Sequence, residues 1–301
     1  GRITGNTGVS VASSTIAGSI ANTGTITGTS GSGVAVTAGS SIGGNITNAG
    51  RITGNTGVSV ASSTIAGSIA NTGTITGTSG SGVAVTAGSS IGGNITNAGR
   101  ITGNTGVSVA SSTIAGGISN AGTITGNNVG VSVANSTITG SISNSGSIYG
   151  SVAGVAVSAS TIGGSVINTT GATISGNSGV SITSSTITGG ISNTGLITGS
   201  LNNGISVTGS NIGFVANAGT VTGLVSGVSI ASSTIGGIAN AGTILGSSIA
   251  GIALSGSTVT GNISNSGSIY GSVAGVQVAS STIGGNITNA GRITGNTGVS
   301  V

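Results

Sequence analysis

Few side chains in this sequence can do chemistry. The charged residues are four arginines, Arg2, Arg51, Arg100 and Arg292, and Asp, Glu, His and Cys are absent. General acid–base catalysis needs an imidazole, carboxyl, amine, phenol or thiol beside the reacting group. Only Tyr149 and Tyr270 qualify, each within the string GSIYGSVAGV. Serines are abundant, but no base is present to activate one. The carboxylate pair of glycosidases is missing, as are the Asp ligands with which glycine-rich solenoids hold Ca²⁺. Strings such as GNTG at 5–8 read as turns, because a phosphate loop needs a following Lys and a helix. The residues therefore predict a protein that is not an enzyme, with no catalytic, cofactor-binding or metal site and no cofactor.

The formal charge of +4 reflects missing acids rather than a basic patch. Nucleic-acid binders cluster Lys and Arg and interleave aromatics. Here the aromatics are Tyr149, Phe214 and Tyr270, so nucleic acid is not an expected partner. No apolar run approaches the roughly 18 residues of a transmembrane helix. Without Cys there are no disulfides. The chain opens on Gly1 and contains no Met. It is therefore expected to be a fragment or processed piece of a longer array, with any signal peptide or anchor lying outside it.

The scaffold that must hold these residues is a repeat. Residues 1–49 recur unchanged at 50–98, and GRITGNTGVSV occurs at 1–11, 50–60, 99–109 and 291–301. Each 49-residue unit splits into two versions of one template: G-x-I-x-G, a turn, G-V-x-V, then S-x-I-x-G-x-I-x-N. Following it places coil starts at Gly1, Gly24, Gly50, Gly73, Gly99, Gly122, Gly146, Gly171, Gly195, Gly219, Gly242 and Gly267, with a partial coil from Gly291. About twelve coils of ~24 residues result, read as one continuous array over 1–301.

Val9 and Val11 are two apart, the spacing of one strand face. With 64 Gly among Ile, Val and Thr, helices are disfavoured and strands favoured. The expectation is an all-β, parallel β-helix (β-solenoid) with three short strands per coil, around Ile3, Val9–Val11 and Ile16–Ile20. One coil cannot bury its aliphatics alone. Stacked about 4.8 Å apart, like strands pair in parallel and about five aliphatics per coil join one core.

An asparagine closes the template in every complete coil: Asn22, Asn48, Asn71, Asn97, Asn120, Asn144, Asn168, Asn193, Asn217, Asn240, Asn265 and Asn289. Each sits two residues after an aliphatic, on the inward face, where a buried amide must find partners. The expectation is an inward Asn ladder at a corner, with left-handed backbone that Asn tolerates. The N-x-S/T strings at Asn45, Asn94 and Asn286 follow from composition.

The template, and the stretch STIGGNITNAGRITG at 281–295 above all, resembles the GxIxNxGxIxG repeats of autotransporter passengers and filamentous-haemagglutinin-like adhesins of Gram-negative bacteria. The resemblance covers the whole chain and carries over no catalytic residue. It implies secretion to the bacterial cell surface and a β-helical stalk with roles in adhesion or fibre formation.

The expected function is a structural component of an extracellular or cell-surface fibre or stalk, with copies of itself as partners in head-to-tail or lateral assembly. The alternative is an adhesin or biofilm matrix protein that contacts host or abiotic surfaces or glycans through Ser/Thr/Asn-rich faces. A third reading, ice binding, rests on T-x-T pairs such as Thr25 and Thr27, and Arg2 and Arg51 interrupt that row.

Overall fold

A computed structural model describes residues 1–301. The chain is all-β, without helix, and winds as parallel stacked coils, a β-solenoid. It divides into two compact units: Gly1–Ile142 with Gly146–Ser151, and Ser143–Ser145 with Val152–Val301.

In the first unit, the coil from Gly50 shows how the template folds. Its strands are Arg51–Gly54, Val58–Ala61, Thr64–Ile65 and Ile69–Asn71. Each pairs in parallel with its counterpart one coil on: Ile52 with Ile75, Val58 with Val83, Val60 with Val85, Ile65 with Ile91 and Ile69 with Ile95. Those five aliphatics are buried almost completely, as the period-two pattern requires. At about 1.5–3 kcal/mol per buried Ile or Val, they are the main favourable contribution of each coil.

The second unit repeats this plan. The coil from Gly195 has strands Leu196–Gly199, Ile205–Thr208, Asn211–Ile212 and Val215–Asn217. Its inward Ile197, Ile205, Val207, Ile212 and Val215 register with Val221, Val228, Ile230, Ile235 and Ile238.

The expected third strand is in fact two. Ile65 and Ile69 are both inward, but a turn at Ala66–Ser68 separates Thr64–Ile65 from Ile69–Asn71, and the two strands lie in different sheets. The four-residue spacing therefore crosses a corner instead of running along a strand. Gly67 lets this corner stack on the coil before it, since a Cβ there would run into Asn45 Oδ1 and lie 2.6 Å from the Gly44 carbonyl. The three-sided section survives because the first and second strands share a sheet. In the first unit they even run together, as Arg100–Ala110 and Thr123–Ala134.

The glycine of G-V-x-V has a packing cause. A Cβ on Gly57 would meet Ile75 Cγ2 at 2.4 Å and the Gly82 carbonyl at 2.5 Å, so the next coil's inward Ile occupies the space of a side chain. Sequence and packing thus explain each other across coils, not within one.

Candidate interaction surface

Polar groups inside each unit are matched from coil to coil. In the first unit Asn22 Nδ2 donates to Asn48 Oδ1 at 2.7 Å, and Asn48, Asn71 and Asn97 continue the chain to Asn120 at 2.8 Å per step. Each Nδ2 also reaches carbonyls: Asn71 donates to Gly73 O at 3.0 Å and to Arg100 O at 3.1 Å. The second unit has the same ladder, from Asn144 through Asn168, Asn193, Asn217, Asn240 and Asn265 to Asn289, with steps of 2.7 to 2.9 Å. At Asn168 two inserted residues displace the usual carbonyl, which lies four residues on instead of two. Gly171 turns the chain at φ 79°, and Ala172 O accepts from Asn168 Nδ2 at 3.3 Å.

The backbone at this ladder differs from expectation. No ladder Asn has positive φ. They end extended strands, and their amides bond both sideways to the next coil and to the carbonyl two residues on, as Asn22 does to Asn48 and to Gly24. The left-handed residues lie at another corner, between the second and third strands: Ser13, Ala38, Ser62, Ala87, Ser111 and Asn135 in the first unit, for example.

That corner carries a second ladder, which the sequence reading missed. In the first unit Ser40 N donates to Ser63 Oγ at 3.1 Å, Ser63 N to Ser89 Oγ at 3.2 Å, and Ser89 N to Ser112 Oγ at 3.2 Å. The hydroxyls donate to a carbonyl just upstream in their own coil, Ser89 Oγ to Thr86 O at 2.6 Å and Ser63 Oγ to Ala61 O at 2.9 Å. In the second unit the series runs Ser160, Ser185, Ser210, Ser233, Ser257, Ser281 at 3.0 to 3.2 Å. The signal was the Ser of S-x-I, which is as invariant in the template as the Asn. No buried side-chain nitrogen or oxygen lacks a partner.

Outside, the first unit presents two rows along its first strands. One is all threonine from Thr4 through Thr27, Thr53, Thr76 and Thr102 to Thr125. The other alternates Arg2, Thr25, Arg51, Thr74, Arg100, Thr123. Arg2 and Arg51 each donate Nε–H to the Thr Oγ1 two residues on, at 3.1 Å. A shallow depression lies between them, lined by Arg2, Thr25, Thr27, Arg51 and Thr53.

The second unit has a different exterior. Its single arginine, Arg292, bonds Thr294 Oγ1 at 3.0 Å. The turn between first and second strands exposes Val152, Leu201, Leu224, Ile249 and Val273. Backbone bonds align part of this column, Ile249 N to Val225 O and Val273 N to Ile249 O, both at 2.9 Å. Tyr270 lies outward beside Leu245, and Phe214 is outward at the turn before Val215–Asn217. In the first unit Tyr149 is outward beside Thr125. A shallow groove over the fourth strands of the second unit is floored by small residues such as Ala216, Ala239 and Ser264.

Two asparagines of the N-x-S/T strings, Asn45 and Asn94, are stitches between coils, while Asn286 is held through its backbone N–H, which donates to Asn262 Oδ1 at 2.8 Å. Asn45 Oδ1 accepts from Ser68 N and Asn94 Oδ1 from Gly117 N, both at 2.7 Å. No helix is long and apolar enough to cross a membrane. No family model, curated protein or solved structure matches this chain.

Proposed function

We propose that this chain is a structural component of an extracellular fibre or stalk on a bacterial cell surface, assembling with copies of itself. The observation that carries the reading is the division of polar chemistry. Inward Asn and Ser tie each coil to the next, while the outward rows are mostly Thr, Ser and Asn with no cluster of titratable groups. Repeated coils of this kind add length without adding new contacts beyond nearest neighbours, which suits a spacer. The same composition underlies the reading that the protein is not an enzyme.

Electron microscopy of the concentrated protein, combined with fibre diffraction, tests the proposal. Fibres with a reflection near ~4.8 Å along the axis are expected. Compact monodisperse particles at every concentration would overturn self-assembly.

An adhesive role is the second reading. The all-threonine row of the first unit favours it, because a regular hydroxyl surface can make many weak contacts at once. A neutral-glycan array showing no signal above background would dispose of it.

A further inference from the structure

We propose that the arginine–threonine row of the first unit is a binding stripe for an acidic polysaccharide. The partner is a linear chain whose carboxylate or sulfate groups lie over the threonine coils between successive arginines. The claim goes beyond a structural role and does not depend on it.

Three observations converge. First, the charge has no internal partner, because the chain contains no Asp or Glu. Arginines on protein surfaces usually meet acids nearby; here any bound counter-charge must come from outside. Second, the cations are aligned. Arg2, Arg51 and Arg100 are 49 residues apart, two coils of the repeat, and the strand register places each in the same outward column. Their backbone spacing is therefore about 9.6 Å. That is close to the screening length of about 8 Å at physiological salt, so the arginines repel one another little while each still attracts an anion in contact with it.

Third, the ground between them is prepared. Arg2 and Arg51 each hold Nε against a Thr hydroxyl, which restrains the guanidinium along its own strand. The remaining four N–H donors of each belong to the two terminal nitrogens, the fork that grips an oxyanion in bidentate fashion. The depression between the two arginines is floored by Thr25, Thr27 and Thr53, whose hydroxyls can donate to the same anion. An oxyanion there faces a guanidinium on each side and hydroxyls beneath. The strand register continues one step on, with Thr74 and Thr76 between Arg51 and Arg100.

A polysaccharide fits better than a nucleic acid. Phosphates recur about every 3.4 Å along one strand, about three per arginine, leaving most unpaired. The stripe also lacks the aromatic side chains on which unpaired bases stack, since Thr and Ile surround it.

The test is binding of the intact chain to dextran sulfate, polygalacturonate, neutral dextran and a single-stranded oligonucleotide, at several salt concentrations. The unchanged chain should bind both acidic polysaccharides and not neutral dextran, with affinity falling as salt rises. The combined variant Arg2→Gln, Arg51→Gln, Arg100→Gln should lose at least roughly tenfold in affinity. Arg292→Gln, which removes the isolated charge, should stay within about twofold. Thermal unfolding of both variants should match the parent, because these side chains are exposed. Equal losses from Arg292→Gln and from any one arginine of the row would reduce the effect to net charge and overturn the stripe. So would absence of binding to either acidic polysaccharide, or tighter binding to the oligonucleotide.

Discussion

At the turn between first and second strands, the first unit carries Asn6, Ser30, Asn55 and Ser79, while the second carries Leu201, Leu224, Ile249 and Val273 at the surface. The arginine row of the first unit likewise gives way in the second to Leu196, Thr220, Thr243 and Ser268 before Arg292. Inside, the two units are hardly distinguishable. Both stack five aliphatics per coil, and both run an Asn ladder and a Ser ladder at steps near 3 Å. The inward positions are constrained twice, by the coil below and the coil above. The outward positions are constrained less, by solvent, by whatever binds and by a few coil-to-coil bonds such as that of Asn45 to Ser68. Functional information in such a chain lies in the rows that vary between units.

Four substitutions or conditions can break that contrast, taken from the largest effect down. Gly57→Val should be the most damaging. Its Cβ would lie 2.4 Å from Ile75 Cγ2 and 2.5 Å from a backbone oxygen, so the loss should exceed about 3 kcal/mol in urea unfolding. Next is Ser89→Ala. It removes the acceptor of Ser63 N and should cost about 1–3 kcal/mol, with faster amide exchange at Ser63 as the local signature. Leu201→Ser or Val273→Ser should shift unfolding by no more than about 0.5 kcal/mol, because the side chains already face solvent. A large loss at either would mean that the apolar corner is part of the core. Smallest of all is the response to pH. With no Asp, Glu or His to change protonation between folded and unfolded states, stability should be flat from about pH 5 to 8.

The sequence made the coil legible because its physics is local and repeated. Val58 and Val60 announce a strand face by their spacing, and Asn71 its inward position by standing two residues after Ile69. What spacing could not resolve was the corner at Ala66–Ser68. A four-residue interval between Ile65 and Ile69 reads the same whether the chain runs straight or turns. The Ser ladder was hidden for another reason. Serine is common throughout the sequence, and an invariant Ser followed by Thr, Ser or Asn looks like an ordinary turn. Only the stacking of Ser63 N on Ser89 Oγ separates it from its neighbours. The sequence showed Arg2 and Arg51 only as interruptions of the T-x-T row. The stripe's threonine floor and the Nε contacts required side-chain positions.

Inward polar ladders hold the coils far more than the outward rows do, where the coil-to-coil contacts of Thr76 and Thr222 are long hydroxyl bonds of 3.4 and 3.3 Å to Thr102 and Thr198. Urea unfolding of matched alanine variants tests it most directly: Asn71→Ala and Thr76→Ala in the first unit, Asn217→Ala and Thr222→Ala in the second. Asn71 accepts from Asn48 and donates to Asn97, and Asn217 accepts from Asn193 and donates to Asn240, all at 2.8 Å. Each Asn variant leaves both neighbours short of a partner and should lose about 2–4 kcal/mol. The threonine variants should stay within about 0.5 kcal/mol of the parent. Equal losses from ladder and row, in either unit, would contradict the account.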